Sequence, residues 1–319
     1  MTPRPGRPKA IAMAAAAAWT MAASPALAHA GHAHAAPGWF EDGWATVLVA
    51  VAGVLYAAGL ARLWRRAGVG RGVAVWRAGC FAAGWTALAA ALASPLAGWA
   101  DRAFSLHMIE HEVLMTVAAP LLALSRPLLG MLWAFPLASR RALGGVATAG
   151  PLAAAWAFLT DPLAATVLHG AALWLWHMPS LFTMALGSPV WHALQHASFF
   201  GTAVLFWWSL AKERLGRPDY GPAVFWLFVT SLHTGFLGVL LTLAPSPWYP
   251  SQEGSANPFG LSPLEDQQIA GLVMWAPAGL VYAGAALLAL GLWVGASGGR
   301  ATTAASPIGQ GGRHVPLAR

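Results

Sequence analysis

Residues 44–63 read WATVLVAVAGVLYAAGLARL, with no charged side chain until Arg62. A helix needs about 20 predominantly apolar residues to cross the hydrocarbon core of a bilayer, and this stretch supplies them in one run. The same pattern recurs outward along the chain. Further apolar segments run from about Arg77 to Ser94, Phe104 to Leu124, Leu163 to Trp176, Val190 to Leu210, Pro222 to Leu243 and Gln267 to Trp293. Backbone polar groups cannot stay unpaired in lipid, so such segments are helices. The alternating runs of about ten residues that mark a membrane β-barrel do not occur. The expected fold is therefore all-α, a polytopic membrane bundle of about seven transmembrane helices.

Composition agrees. Of 319 residues, 58% are hydrophobic and 9% charged, whereas soluble domains carry about 25% charged residues. The net charge of +7 does not imply nucleic acid, because the basic residues sit in short loops between spans. Arg62, Arg65, Arg66, Arg71, Arg77, Arg126, Arg140, Arg141, Lys212, Arg214, Arg217, Arg300, Arg313 and Arg319 all fall on one side of a seven-span layout. The other side holds Arg102 with Asp101, Glu253, Glu265 and Asp266. Positive residues retain loops in the cytoplasm, so the N-terminus of the bundle is expected outside.

The chain begins with Arg4, Arg7 and Lys9, then an apolar run from Ile11 to Ala23, a Ser24-Pro25 break and the small residues Ala26-Leu27-Ala28. That order reads as a signal peptide over 1–28, followed by a histidine-bearing outer tail over 29–43. Residues 44–294 form the transmembrane domain. The Gly/Ala/Ser-rich segment 295–319 is expected to be a disordered cytoplasmic tail. Pro151 to Thr160 is apolar but too short to cross and reads as an interfacial or re-entrant helix. With Cys80 the single cysteine, metal chemistry would have to use His, Met and carboxylates.

The histidines carry the most information. His29, His32 and His34 lie in the outer tail, which could capture an ion loosely. His107, His111, His177, His192 and His196 lie at outer helix ends, His169 and His233 nearer mid-membrane, and His314 in the tail. His107/His111 and His192/His196 are spaced i, i+4, which sets both imidazoles of each pair on one helix face about 6 Å apart along the axis. Neutral imidazole is the commonest metal ligand, and pairs on facing helices can build a site inside a bundle. Glu110 adds a carboxylate near the first pair, and Met108 and Met115 add thioethers suited to Cu(I). The alternative for each pair is interhelical hydrogen bonding. His233 reads as a deeper ligand, a proton relay or a packing residue. His169 and Met274 read as packing, and His177 as a residue near the negative end of a helix dipole. Asp266 reads as a helix N-cap or as a carboxylate that orients an imidazole. The candidate metal set is thus His107, His111, His192, His196, His233, Met108, Glu110 and Asp266. No nucleophile elbow, P-loop, zinc-protease helix or dinucleotide fingerprint is present, and no catalytic role is expected.

Phe104-Ser-Leu-His107-Met-Ile-Glu-His111, with Ala119-Pro120 after it, resembles the multi-span CtaG family of cytochrome c oxidase assembly proteins. His192-Ala-Leu-Gln-His196, His233-Thr-Gly-Phe-Leu-Gly and Asp266-Gln-Gln-Ile-Ala-Gly-Leu-Val-Met-Trp275 carry the same resemblance, which covers roughly Trp44 to Trp293. Ser125-Arg126-Pro127 departs from it where Leu-Gly-x-Pro would stand. The resemblance implies a bacterial inner-membrane protein needed for active haem–copper oxidase, working with oxidase subunits and membrane lipid rather than nucleic acid. Copper is the cofactor so implied. The residues alone also fit a haem protein with axial histidines, a copper or proton transporter, or a scaffold without metal.

Overall fold

A computed structural model describes residues 43–214, 217–218, 220–249 and 257–304. The signal peptide, the outer tail with His29, His32 and His34, and His314 lie outside the described residues. The fold is all-α, and each of the seven expected segments is helical. Helix α1 spans Gly43–Ala67, α2 Val75–Leu92 and α3 Pro95–Ala100. Helix α4 runs from Phe104 to Ser125 with a π turn at Val113–Ala118. Short helices α5 (Pro127–Leu132), α6 (Leu137–Ala147) and α7 (Gly150–Leu159) follow. Then come α8 (Pro162–Trp176), α9 (Pro179–Leu186), α10 (Pro189–Ala211), α11 (Tyr220–Thr242) and α12 (Pro263–Ala304). A two-residue hairpin, Glu213–Arg214 with Arg217–Pro218, links α10 to α11.

Five of these helices are long and apolar enough to cross a membrane: α1, α2, α4, α11 and α12. A sixth crossing exists if α6 and α7, bent by 66° at their junction, count as one broken span. Helix α10 has 23 residues, long enough to cross, but the polar His192, Gln195, His196 and Ser198 interrupt its apolar surface. Helix α8, at 15 residues, is short for a crossing. The apolar segment before Asp161 belongs to the bent pair. Asp161 itself caps α8, accepting from the N–H groups of Leu163 at 3.0 Å and Ala164 at 3.3 Å. One boundary is corrected: α12 continues to Ala304, so the segment after Gly295 begins as helix.

Helix α4 is the axle of the bundle. Two thirds of its apolar window is buried (67%), against 17% for α12, and it packs on α2, α10 and α12. Helix α11 lies along α12, where two glycines let the backbones meet. A Cβ on Gly271 would stand 2.6 Å from the Gly238 carbonyl oxygen, and one on Gly238 would stand 2.8 Å from that of Gly271. Small residues at such crossings allow close packing where lipid removes the hydrophobic drive. Outward apolar residues such as Val54, Phe228 and Leu287, each more than 60% exposed, form the face for lipid.

The π turn leaves one carbonyl without a backbone donor. In the wider i→i+5 pattern, the Met115 carbonyl would take its proton from residue 120, which is Pro120 and has none. The Trp207 indole N–H fills the gap at 2.9 Å, which ties α10 to the middle of α4.

Candidate functional site

The starts of α4, α10 and α12 share one end of the bundle with the ends of α8 and α11. Helix α12 opens with a capping box: the Ser262 N–H donates to Glu265 at 2.9 Å, and the Glu265 N–H donates back to Ser262 Oγ at 3.3 Å. The next three residues tie other segments together. Asp266 accepts from the backbone N–H groups of Phe104 at 2.7 Å and Ser105 at 3.1 Å. Gln267 Oε1 accepts from the Trp248 N–H at 2.6 Å, and Gln268 Nε2 donates to the Ala244 carbonyl at 3.3 Å. Asp266 thus caps α4, not its own helix, with a negative charge at the positive end of that helix's dipole. Both its oxygens are engaged by backbone, so the expectation that it orients an imidazole gives way to an anchoring role.

Anchored there, α4 places His107 and His111 against α10. The two rings lie 4.2 Å apart, as do those of His192 and His196 on α10. Across the helices His107 stacks on His192 at 5.5 Å and lies 6.2 Å from His196, while His111 meets His196 at 5.0 Å. The Glu110 carboxylate is 3.9 Å from His196 Nε2. Three of the four rings are almost fully buried, His107 and His111 at 1% exposure and His196 at 4%; His192 is half-buried. Both ring nitrogens of His107 and of His111, and Nε2 of His196, have no hydrogen-bond partner. Burying a polar nitrogen unpaired costs about 1–3 kcal/mol, so several together in one place call for an occupant.

Two imidazoles that share an ion, with nitrogens about 2 Å from it, hold ring centres roughly 5 Å apart. The cross-helix separations of 5.0 to 6.2 Å suit that spacing, and the donor set of imidazoles with one carboxylate suits copper or zinc. As the side chains stand, no group of three or more His, Cys, Asp or Glu among the described residues is set to hold an ion. Loading would need ring rotation about the soft imidazole torsion.

Other expected members lie elsewhere. Met108 faces away from the rings into an apolar cluster with Phe104, Phe182, Leu237 and Met274. One residue is about 100° around a helix, which turns it from the α10 side towards α11 and α12. His233 packs against Gly170 of α8, where a Cβ would stand 3.4 Å from its ring, and is not among the rings that touch one another in the cluster. It belongs instead to a deeper polar layer with His169. There Thr202 Oγ1 donates to the Ser198 carbonyl at 2.7 Å and so accepts from His169 Nδ1 at 3.1 Å, leaving Nε2 of His169 bare.

The sequence places His177 at a helix end, and the structure gives it more. It is 5% exposed, and its ring lies 6.1 Å from that of Phe199, which the His111 ring meets at 4.7 Å. Its Nδ1–H donates to the Leu173 carbonyl at 2.7 Å, which fixes the tautomer and leaves a buried Nε2 with no partner. Burial holds it at about 4, well below the usual imidazole range, although the Leu173 bond pulls it upward; the ring is neutral at pH 7. The Tyr249 hydroxyl donates to the His177 carbonyl at 3.0 Å. No spacing rule could have found His177, since its nearness depends on the corner between α8 and α9. The one sequence signal was its place among histidines at the same end.

Comparison with known proteins finds relatives of this chain. Uncharacterized proteins of Mycobacterium bovis and Mycobacterium tuberculosis are each 28% identical over 248 residues, covering 72% of this chain and 36% of the relative. The chain thus spans about a third of the length of these curated relatives. No solved structure matches. The family described as cytochrome c oxidase caa3 assembly factor (Caa3_CtaG) matches residues 54–296, a range that holds all four clustered rings and the Asp266–Gln268 anchor. The chain belongs to that family of oxidase assembly factors.

Proposed function

We propose that this multi-pass membrane protein assists oxidase assembly by holding copper as cargo among His107, His111, His192 and His196 and passing it to an oxidase subunit. The observation that supports this most is the convergence of four imidazoles from α4 and α10, with buried nitrogens of His107, His111 and His196 left unpaired. Glu110 would balance part of the ion's charge beside His196. The rings sit within about two turns of the helix starts, and the half-buried His192 marks the side from which an incoming subunit would take the ion. The basic bias of the opposite loops orients this end towards the outer face of a bacterial inner membrane.

Copper content of the detergent-purified full chain, compared with that of His107→Ala/His111→Ala, tests the proposal. One ion per chain in the wild type and a loss of at least tenfold in affinity in the variant are expected. Equal copper content in both would defeat it. An optical spectrum on the same samples addresses haem ligation by the same rings: a strong Soret band would replace copper with iron porphyrin.

A further inference from the structure

The opposite end of the bundle carries a second concentration of chemistry, built from arginine. Arg62, Arg65 and Arg66 at the end of α1 and Arg140 in the second turn of α6 line a cleft of about 500 Å³ with Trp133, Phe135, Pro136 and Leu137. We infer that this cleft binds the phosphate of an anionic phospholipid, independently of any metal at the histidines.

Four guanidinium groups share the cleft, and no Asp or Glu is among its lining residues. Three of them make contacts with uncharged groups of the described residues. Arg62 donates to the Ala134 carbonyl, and Arg65 Nε donates to the Ala61 carbonyl of its own helix at 3.2 Å. Arg140 lies over the Trp133 ring, 4.0 Å from its centre, and its Nε is buried with no partner. Stacked or anchored in this way, guanidinium planes are pre-ordered to present paired N–H groups, the fork that matches phosphate oxygens. The first turn of α6 begins at the cleft behind Pro136 with no side-chain cap, so its unpaired N–H groups favour an anion in the same place.

The apolar wall selects lipid over free phosphate. Phe135 is 36% and Leu137 52% exposed. A diester headgroup seated on the arginines would lay its acyl chains over these side chains. Basic pockets between membrane helices are an established setting for anionic headgroups.

Native mass spectrometry of the delipidated full chain decides the matter, with phosphatidylglycerol, phosphatidylcholine and inorganic phosphate titrated separately. The expected result is a preference of at least tenfold for phosphatidylglycerol over phosphatidylcholine, with no binding of millimolar inorganic phosphate. Arg62→Gln/Arg140→Gln should remove the preference, and Arg140→Lys, which keeps the charge but loses fork and stack, should reduce it several-fold. Arg77→Gln, at a half-buried arginine outside the cleft, should leave it intact. Equal binding of the two lipids by the wild type, or a preference that survives both Arg140 variants, would overturn the inference. Tight binding of inorganic phosphate without lipid preference would overturn its lipid part. If the double variant does not fold, Arg140→Lys gives the answer alone.

Discussion

The two ends of the bundle solve the same problem with opposite chemistry. Where α4 begins, backbone N–H groups are left over, and Asp266 of α12 reaches those of Phe104 and Ser105, with Gln267 beside it accepting from Trp248 in the loop after α11. Where helices stop at the other end, carbonyls are left over, and cations reach them. Lys212 Nζ donates to the Thr160 carbonyl at 2.6 Å, just past α7, and Arg62 donates to that of Ala134, just past α5. Both patterns follow the helix dipole. They differ in burial: Asp266 is 4% exposed and Gln267 2%, whereas Arg62 is exposed and Lys212 half-buried. Water cannot replace a buried acceptor, but it can replace an exposed cation. The histidine end should therefore be the brittle one.

That asymmetry can be broken in graded steps, with unfolding followed by thermal midpoint in a fixed detergent. Asp266→Ala removes two charge-assisted bonds from the start of α4 and should cost about 3 kcal/mol; a loss under about 0.5 kcal/mol would show that the cap is dispensable. Gly271→Ala presses a Cβ into the backbone of α11 at 2.6 Å and should cost about 2 kcal/mol, with an unchanged midpoint counting against the close crossing. Tyr249→Phe keeps the ring in its cluster with Phe104 and Phe182 and removes only the bond to His177, for about 1 kcal/mol. Arg65→Gln at the opposite end should fall within about 0.5 kcal/mol of wild type. A larger cost there than for Tyr249→Phe would reverse the comparison.

Much of this architecture was legible in the sequence. Uninterrupted apolar runs gave the helices because lipid allows backbone few alternatives. The i, i+4 histidine spacing gave two faces, each with its pair of rings in contact. What the spacing could not give was the angle at which each face meets its neighbours. Met108 and His233 share the composition of a copper site yet point into an apolar cluster and a deeper layer. Asp266 carries the signature of a cap, but the helix it caps lies 162 residues away in the chain. The number of crossings was also beyond reach, because α8 and the bent pair α6–α7 have lengths that suit more than one depth. His177 reads from sequence only as a helix-end residue, because the corner between α8 and α9 that turns it into the bundle is a tertiary event.

The widened turn at Val113–Ala118 sets the phase between the two halves of α4. It holds one residue more than a regular α-helical path, and one residue corresponds to about 100° of rotation. Deleting a single position there would wind the rod regular with both faces kept in place, whereas winding the full-length segment as regular α-helix would swing the upper histidine face away from α10 while the lower half kept its grip on α2. Wheel diagrams drawn straight through α4 therefore misassign one half of it, and so would any grafted ring placed by counting across Pro120.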